Sequence, residues 1–134
     1  MLYFYPKDNT SGCTKEACDF TGEINEFRSL NAEILGVSPD STSSHTNFIK
    51  KHKLKIILLS DIDKEVMKQY GAWGLKKNYG KEYEGAIRST FLISPDGNIK
   101  DIWRSVKVRV KHKSGEIKHA EAVKIKLEEL QNLL

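Results

Sequence analysis

Leu2-Tyr3-Phe4-Tyr5-Pro6-Lys7-Asp8-Asn9-Thr10-Ser11-Gly12-Cys13-Thr14-Lys15-Glu16-Ala17-Cys18 contains the opening unit of the fold and both cysteines of the chain. The apolar, aromatic run from Leu2 to Tyr5 ends at Pro6 and reads as a buried strand. Lys7 to Gly12 is dense in Asp, Asn, Thr, Ser and Gly, the composition of a loop. A helix is expected from Cys13 to Asn31, because Ala17, Phe20, Ile24, Phe27 and Leu30 recur at spacings of three and four on one helical face.

Working outward, Ala32 to Ser38 reads as a second strand closed by Pro39-Asp40. Ser41 to Lys53 has a polar start and then a helix carrying Phe48 and Ile49. Lys55 to Ser60 is continuously apolar between its ends, as in a strand with both faces covered. Asp63 to Tyr70 reads as a short helix stopped by Gly71, a favourable glycine C-cap. Lys76 to Gly85 is polar and contains glycine, so a loop is expected there. Arg88 to Ser94 reads as a strand, Pro95-Asp96-Gly97-Asn98 as a tight turn, and Ile99 to Val110 as the antiparallel return. His119 to Leu134 is the last helix, with Ala122, Val123, Ile125, Leu127, Leu130 and Leu133 apolar. Alternating strands and helices predict an α/β architecture with helices on both faces of one sheet.

The 134 residues suit one domain spanning 1–134, and 39% hydrophobic content can fill a core. No apolar run approaches a membrane span, and residues 1–20 lack the layout of a signal peptide, so the expectation is a cytoplasmic protein without a membrane partner. Lys and Arg number 22 against 18 Asp and Glu, a net charge of +4. The excess gathers between Lys100 and Lys118, where only Asp101 and Glu116 are acidic. Val106, Val108 and Val110 alternate there with Lys107, Arg109 and Lys111, which predicts a strand with one solvated face and no nucleic-acid partner.

Two cysteines cannot staple a secreted scaffold, and in a reducing compartment a close pair indicates redox chemistry or metal binding. Cys13 stands where a loop becomes a helix, and the unpaired N–H groups and positive dipole end there stabilise a thiolate. The alternative is a small buried apolar side chain, against which stand the polar flanks Ser11-Gly12 and Thr14-Lys15. Cys18 lies five residues on, a rise of about 7.5 Å along a helix with divergent side chains. A disulfide needs Cα atoms closer than about 7 Å, so the pair bonds only if the first turns unwind, which favours a transient bridge. A zinc site would have to draw on His45, His52, His112 and His119, and none has compact ligand spacing, so no metal or other cofactor is expected.

The segment Tyr3 to Cys18 resembles the bacterioferritin comigratory protein, or PrxQ, subfamily of peroxiredoxins. Its core is the P-x-x-x-T-x-x-C motif, met here by Pro6, Thr10 and Cys13. Tyr70-Gly71-Ala72-Trp73-Gly74, Tyr79-Gly80-Lys81 and Arg88-Ser89-Thr90-Phe91-Leu92-Ile93 are similar to the same subfamily. The likeness runs to about Lys107 and more loosely through the last helix. It implies a thioredoxin fold of peroxiredoxin type, a central mixed sheet flanked by helices, whose closing pattern is a hairpin and then a helix.

The resemblance also implies roles. Cys13 corresponds to the peroxidatic cysteine, whose thiolate attacks a hydroperoxide and becomes a sulfenic acid. Arg88 corresponds to the active-site arginine that holds thiolate and peroxide. Thr10 would offer its hydroxyl to the sulfur or peroxide oxygen, and Pro6 would shield the pocket. Cys18 matches the resolving cysteine of members that carry it on the same helix, giving an intramolecular disulfide. Thioredoxin or a similar dithiol protein is the implied reductant, hydrogen peroxide and organic hydroperoxides the substrates, and a monomer or weak homodimer the assembly. The alternative is a redox sensor that relays its disulfide to a partner protein. Three departures stand out. Ser11 occupies a position where the family often has proline, the family's strands ahead of Leu2 are absent from this sequence, and Arg109 to Lys118 is longer than the usual link. An uncovered sheet edge would invite association.

Overall fold

The structure is a computed structural model and describes residues 1–78, 80–112 and 115–132. Its first strand, β1 (Leu2–Phe4), is the centre of the architecture. On one side β1 pairs in parallel with β2 (Leu35–Ser38), which pairs in parallel with β3 (Ile57–Ser60). On the other it pairs antiparallel with β6 (Ser89–Ile93), followed by antiparallel β7 (Ile99–Trp103). The five-stranded mixed sheet therefore runs β3-β2-β1-β6-β7. Alternation along β1 feeds both faces. Tyr3 and Tyr5 enter a core with Phe20, Phe27, Phe48, Ala120 and Val123, while Leu2 and Phe4 enter another with Met67, Ala72, Ala86 and Phe91. Among the described residues, no helix is long and apolar enough to cross a membrane.

The helix expected over 13–31 is two helices, α1 (Ser11–Gly22) and α2 (Ile24–Ser29). The break falls at Glu23, directly after Gly22, whose low helix propensity weakens the turn there. The apolar face survives the break, with Ala17, Phe20, Ile24 and Phe27 all buried. The helix at 41–53 is α3 (Thr42–His52), and Ser41 caps it by accepting a hydrogen bond from the Ser44 N–H at 3.1 Å. The short helix at 63–70 is α4 (Glu65–Gln69). It ends as expected on Gly71, at φ +69°, with Ala72 N–H donating to Met67 O and Gly71 N–H to Lys68 O, a Schellman closure.

Four expectations need correction. The apolar run at 55–60 is not covered on both faces. β3 is an edge strand, and Ile57 and Leu59 are 46% and 45% exposed. The expected loop at 76–85 is largely a two-stranded ribbon, β4 (Trp73–Asn78) with β5 (Lys81–Ala86), whose exposed polar residues give no apolar periodicity to read. Tyr79, part of the resemblance, lies outside the described residues. The antiparallel return stops at Trp103, and Ser105 takes φ +49°. A separate hairpin then forms from β8 (Arg109–His112) and β9 (Gly115–Lys118) before α5 (His119–Asn132). Leu133, expected on that last helix, also lies outside the described residues. The basic segment does more than solvate a face, because Arg109 donates to Asp19 at 2.8 Å and Arg104 to Gly71 O at 2.7 Å.

Candidate active site

Two local features bring the site together. Thr10, extended at φ −83° and ψ 156°, is the N-cap of α1, so Cys13 is the third residue of the helix. The first intrahelical bond runs from Thr14 N–H to Thr10 O at 2.9 Å, leaving the preceding N–H groups of the turn without helical acceptors. Across the sheet, Phe4 pairs with Ser89, which sets Arg88 at the sheet end where α1 begins. The Arg88 Nη2 then donates to Cys13 Sγ at 3.2 Å, and its Nη1 to Glu16 Oε1 at 2.6 Å.

Cys13 is 1% exposed, contrary to the expectation from its polar flanks. Helical geometry explains the difference. Cys13, Glu16, Ala17 and Phe20 share the inward face of α1, whereas Ser11, Lys15 and Cys18 point outward. The polar neighbours in sequence are not neighbours in space. Burial has not isolated the sulfur from charge, because the guanidinium lies against it.

Glu16 was not anticipated. Three residues beyond Cys13, it occupies the same helical face, and that spacing was the available signal. It is 1% exposed, and its Oε2 has no hydrogen-bond partner among the described residues. Burial pushes its carboxyl up to about 7 against the opposing pull of Arg88. Burial also acts to lower Arg88, but Glu16 and Cys13 outweigh it and hold the guanidinium above its ordinary value. The sign for Glu16 follows from linkage. Its folded value exceeds its unfolded one, so its contribution to stability is fully present below about 4.5 and is lost as pH rises toward 7. Replacing Glu16 with Gln should flatten the stability profile between those values by about 3 kcal/mol at most. Urea midpoints at pH 5 and pH 7.5 check this, and parallel profiles for parent and variant would contradict it.

The remaining residues take distinct places. Pro6 and Arg88 share the wall of an open cavity of about 450 Å³ with Leu75, Lys76, Ile87 and Val106. Thr10 lies at the loop exit, but its hydroxyl donates to Lys7 O at 2.9 Å and not to Cys13. Cys18 is exposed on intact helix, and both thiols are free. Partial desolvation and then the Asp19 charge push the Cys18 thiol up. Of the histidines, His45 bonds Asp8, His119 Nε2 lies 2.8 Å from Thr90 Oγ1, and His52 packs edge-on to Phe48. The side chain of His112 lies outside the described residues.

With this geometry in view, the likenesses to known proteins become specific. Residues 1–102 match the AhpC/TSA family. Peroxiredoxin Bcp of Bacillus subtilis is 51% identical over 109 residues, covering 81% of this chain and 69% of that protein. A peroxiredoxin bcp of Helicobacter pylori J99 is 50% identical, covering 81% and 72%. The bacterioferritin comigratory protein of Xanthomonas campestris, studied for alkyl peroxide reduction, superposes with TM-score 0.85 at 43% identity, covering 96% of this chain and 77% of that one. A cysteine-to-serine mutant of Xylella fastidiosa PrxQ gives TM-score 0.86 at 40% identity, covering 97% and 76%. The chain therefore belongs to the AhpC/TSA family and is a thiol peroxidase of its Bcp/PrxQ peroxiredoxin branch.

Proposed function

We propose that Cys13 is the attacking thiol, Cys18 the resolving thiol, and hydrogen peroxide together with organic hydroperoxides the substrates. The observation that carries this reading is the 3.2 Å contact between Arg88 Nη2 and Cys13 Sγ at the start of α1. A guanidinium and free helical N–H groups favour the thiolate, and the same donors stabilise negative charge on the departing oxygen. The Cys13 thiolate attacks the terminal peroxide oxygen. The S–O bond forms as the O–O bond breaks, and the remaining oxygen leaves as alkoxide or hydroxide and takes a proton from water. Pro6 and the apolar Leu75, Ile87 and Val106 of the adjoining cavity suit an organic substituent there.

The Cys18 thiolate then attacks the sulfenic sulfur, hydroxide departs as water, and a Cys13–Cys18 disulfide remains. A dithiol protein of thioredoxin type returns both thiols and takes up the oxidation. Cys18 is exposed and so accessible to such a partner once the bridge has formed. This cycle fits a reducing compartment such as the cytoplasm and needs no more than a monomer or weak homodimer, since both thiols lie on α1. The test is peptide mass mapping after one equivalent of hydrogen peroxide, followed by turnover with thioredoxin, thioredoxin reductase and NADPH. A bridged Cys13–Cys18 peptide and sustained NADPH consumption are expected. Sulfenic acid that persists at Cys13 without a bridge would remove Cys18 from the cycle.

A further inference from the structure

Between Pro6 and Thr10, the loop that delivers Cys13 buries one residue, Asp8, at 5% exposure. Its carboxylate is enclosed by donors. Tyr5 Oη donates to Oδ1 at 2.6 Å, Ser44 Oγ donates to Oδ2 at 2.7 Å, and His45 Nδ1 lies 2.7 Å from that same oxygen. The Asp8 N–H donates to Asp40 Oδ2 at 2.8 Å, and Asp40 Oδ2 also accepts from Ser38 Oγ at 2.6 Å. His45 is itself anchored, with Nε2 3.0 Å from Leu59 O on β3.

The donor inventory fixes the chemistry. A backbone carbonyl only accepts, so His45 Nε2 carries a proton. Nδ1 and Asp8 Oδ2 then share a short, buried hydrogen bond that joins α3 to the loop. Asp8, Asp40 and His45 bring ligand atoms within 4.8 Å of one another. Hydrogen bonds inside the cluster already engage the Asp8 and His45 atoms, and Asp40 Oδ2 serves Asp8 and Ser38, so the arrangement reads as a clamp and not as a cation site.

What the clamp holds is the approach to the reacting sulfur. Asn9, next to Asp8, sits in the left-handed region at φ +62°, and Thr10 is exposed, its hydroxyl bonded to the loop's own Lys7 O. Asp8 is thus the buried tether by which α3 and β3 fix the segment that places Pro6 in the cavity wall and Thr10 at the helix cap. We propose that Asp8 and His45 are positioning residues for Cys13, acting through this loop on the sulfur's contact with Arg88 and the first-turn N–H groups. This rests on the reading of Cys13 as the attacking thiol.

The experiment compares His45→Asn with His45→Gln in the full chain. An asparagine amide can stand where Nδ1 meets Asp8, while a glutamine amide reaches toward Leu59 O and leaves Asp8 without its contact to residue 45. Sulfenic acid formation at Cys13 by hydrogen peroxide, per folded molecule, should slow about tenfold in His45→Gln, with the pH profile of Cys13 alkylation displaced. In His45→Asn it should stay within about threefold of the parent. If both variants melt earlier but keep the parent's rate and profile, the pair only joins α3 to the loop and the proposal is wrong. If His45→Gln does not fold, Asp8→Asn carries the same expectation, and parental rate and profile there overturn it equally. A parent chain that forms no sulfenic acid at Cys13 instead defeats the reading beneath, a result visible before any variant is made.

Discussion

Replacing Cys13 with serine should stop peroxide consumption outright, whereas Cys18→Ser should still form a sulfenic acid at Cys13 with the first equivalent of peroxide and then fail to bridge it. The asymmetry follows from where each sulfur lies. Cys13 is held against Arg88 at the start of α1, and a serine hydroxyl there offers no ionised nucleophile at neutral pH. Cys18 cannot substitute, because it is exposed, and partial desolvation and Asp19 push its thiol up, away from the reactive form. With Cys18 removed, the first chemical step should remain and its product be stranded as a sulfenic acid, which a second equivalent of peroxide would carry on to sulfinic acid. Dimedone trapping and mass mapping distinguish the two variants. Equal loss of sulfenic acid formation in both would contradict the division of roles.

The proposed Cys13–Cys18 bridge would also require movement. Both cysteines occupy one continuous helix, Ser11–Gly22, and a separation of about 7.5 Å along its axis is too great for an S–S bond. The second half of that helix is held by Ala17 and Phe20 in the core and by Asp19 to Arg109. Unwinding is therefore easiest in the first turn, where Ser11 is exposed and Gly12 carries no side chain to pack.

Local order in this chain was legible where one element sufficed to define it. The face of Ala17, Phe20, Ile24 and Phe27, the turn at 95–98 and the glycine stop at Gly71 all depend on neighbours within a few residues. Partnerships across the fold were not. Asp8 and His45 meet over 37 residues of sequence, and Arg109 meets Asp19 over 90, with no periodicity to announce either. The covered strand expected at 55–60 failed for a related reason, since an apolar run does not say which side of the sheet lacks a neighbour. Cys13 misled in the opposite direction. Polar residues flank it in sequence, yet a helix turns them away and buries the sulfur beside the Arg88 guanidinium.

Arg88→Met should slow sulfenic acid formation about 100-fold, the loss typical of removing one donor from a developing negative charge in a sheltered site. Methionine retains much of the arginine's bulk and removes only the charge and its fixed pair of donors. The thiolate then loses its nearest cation, so alkylation of Cys13 should require a higher pH than in the parent. Glu16 loses its partner on Oε1, while Oε2 already has none among the described residues, so burial and then the Asp19 charge push the carboxyl further up without opposition from Arg88. Arg88→Lys should fall between the two, since one ammonium cannot reach both Sγ and Oε1 with the same fork. Adding Glu16→Gln to Arg88→Met separates the effects. The double variant should lose the pH dependence of stability that Glu16 carries but recover none of the lost rate, because the cation at the sulfur is still missing. An Arg88→Met protein with the parent's alkylation profile would show that the 3.2 Å contact has no part in activating Cys13.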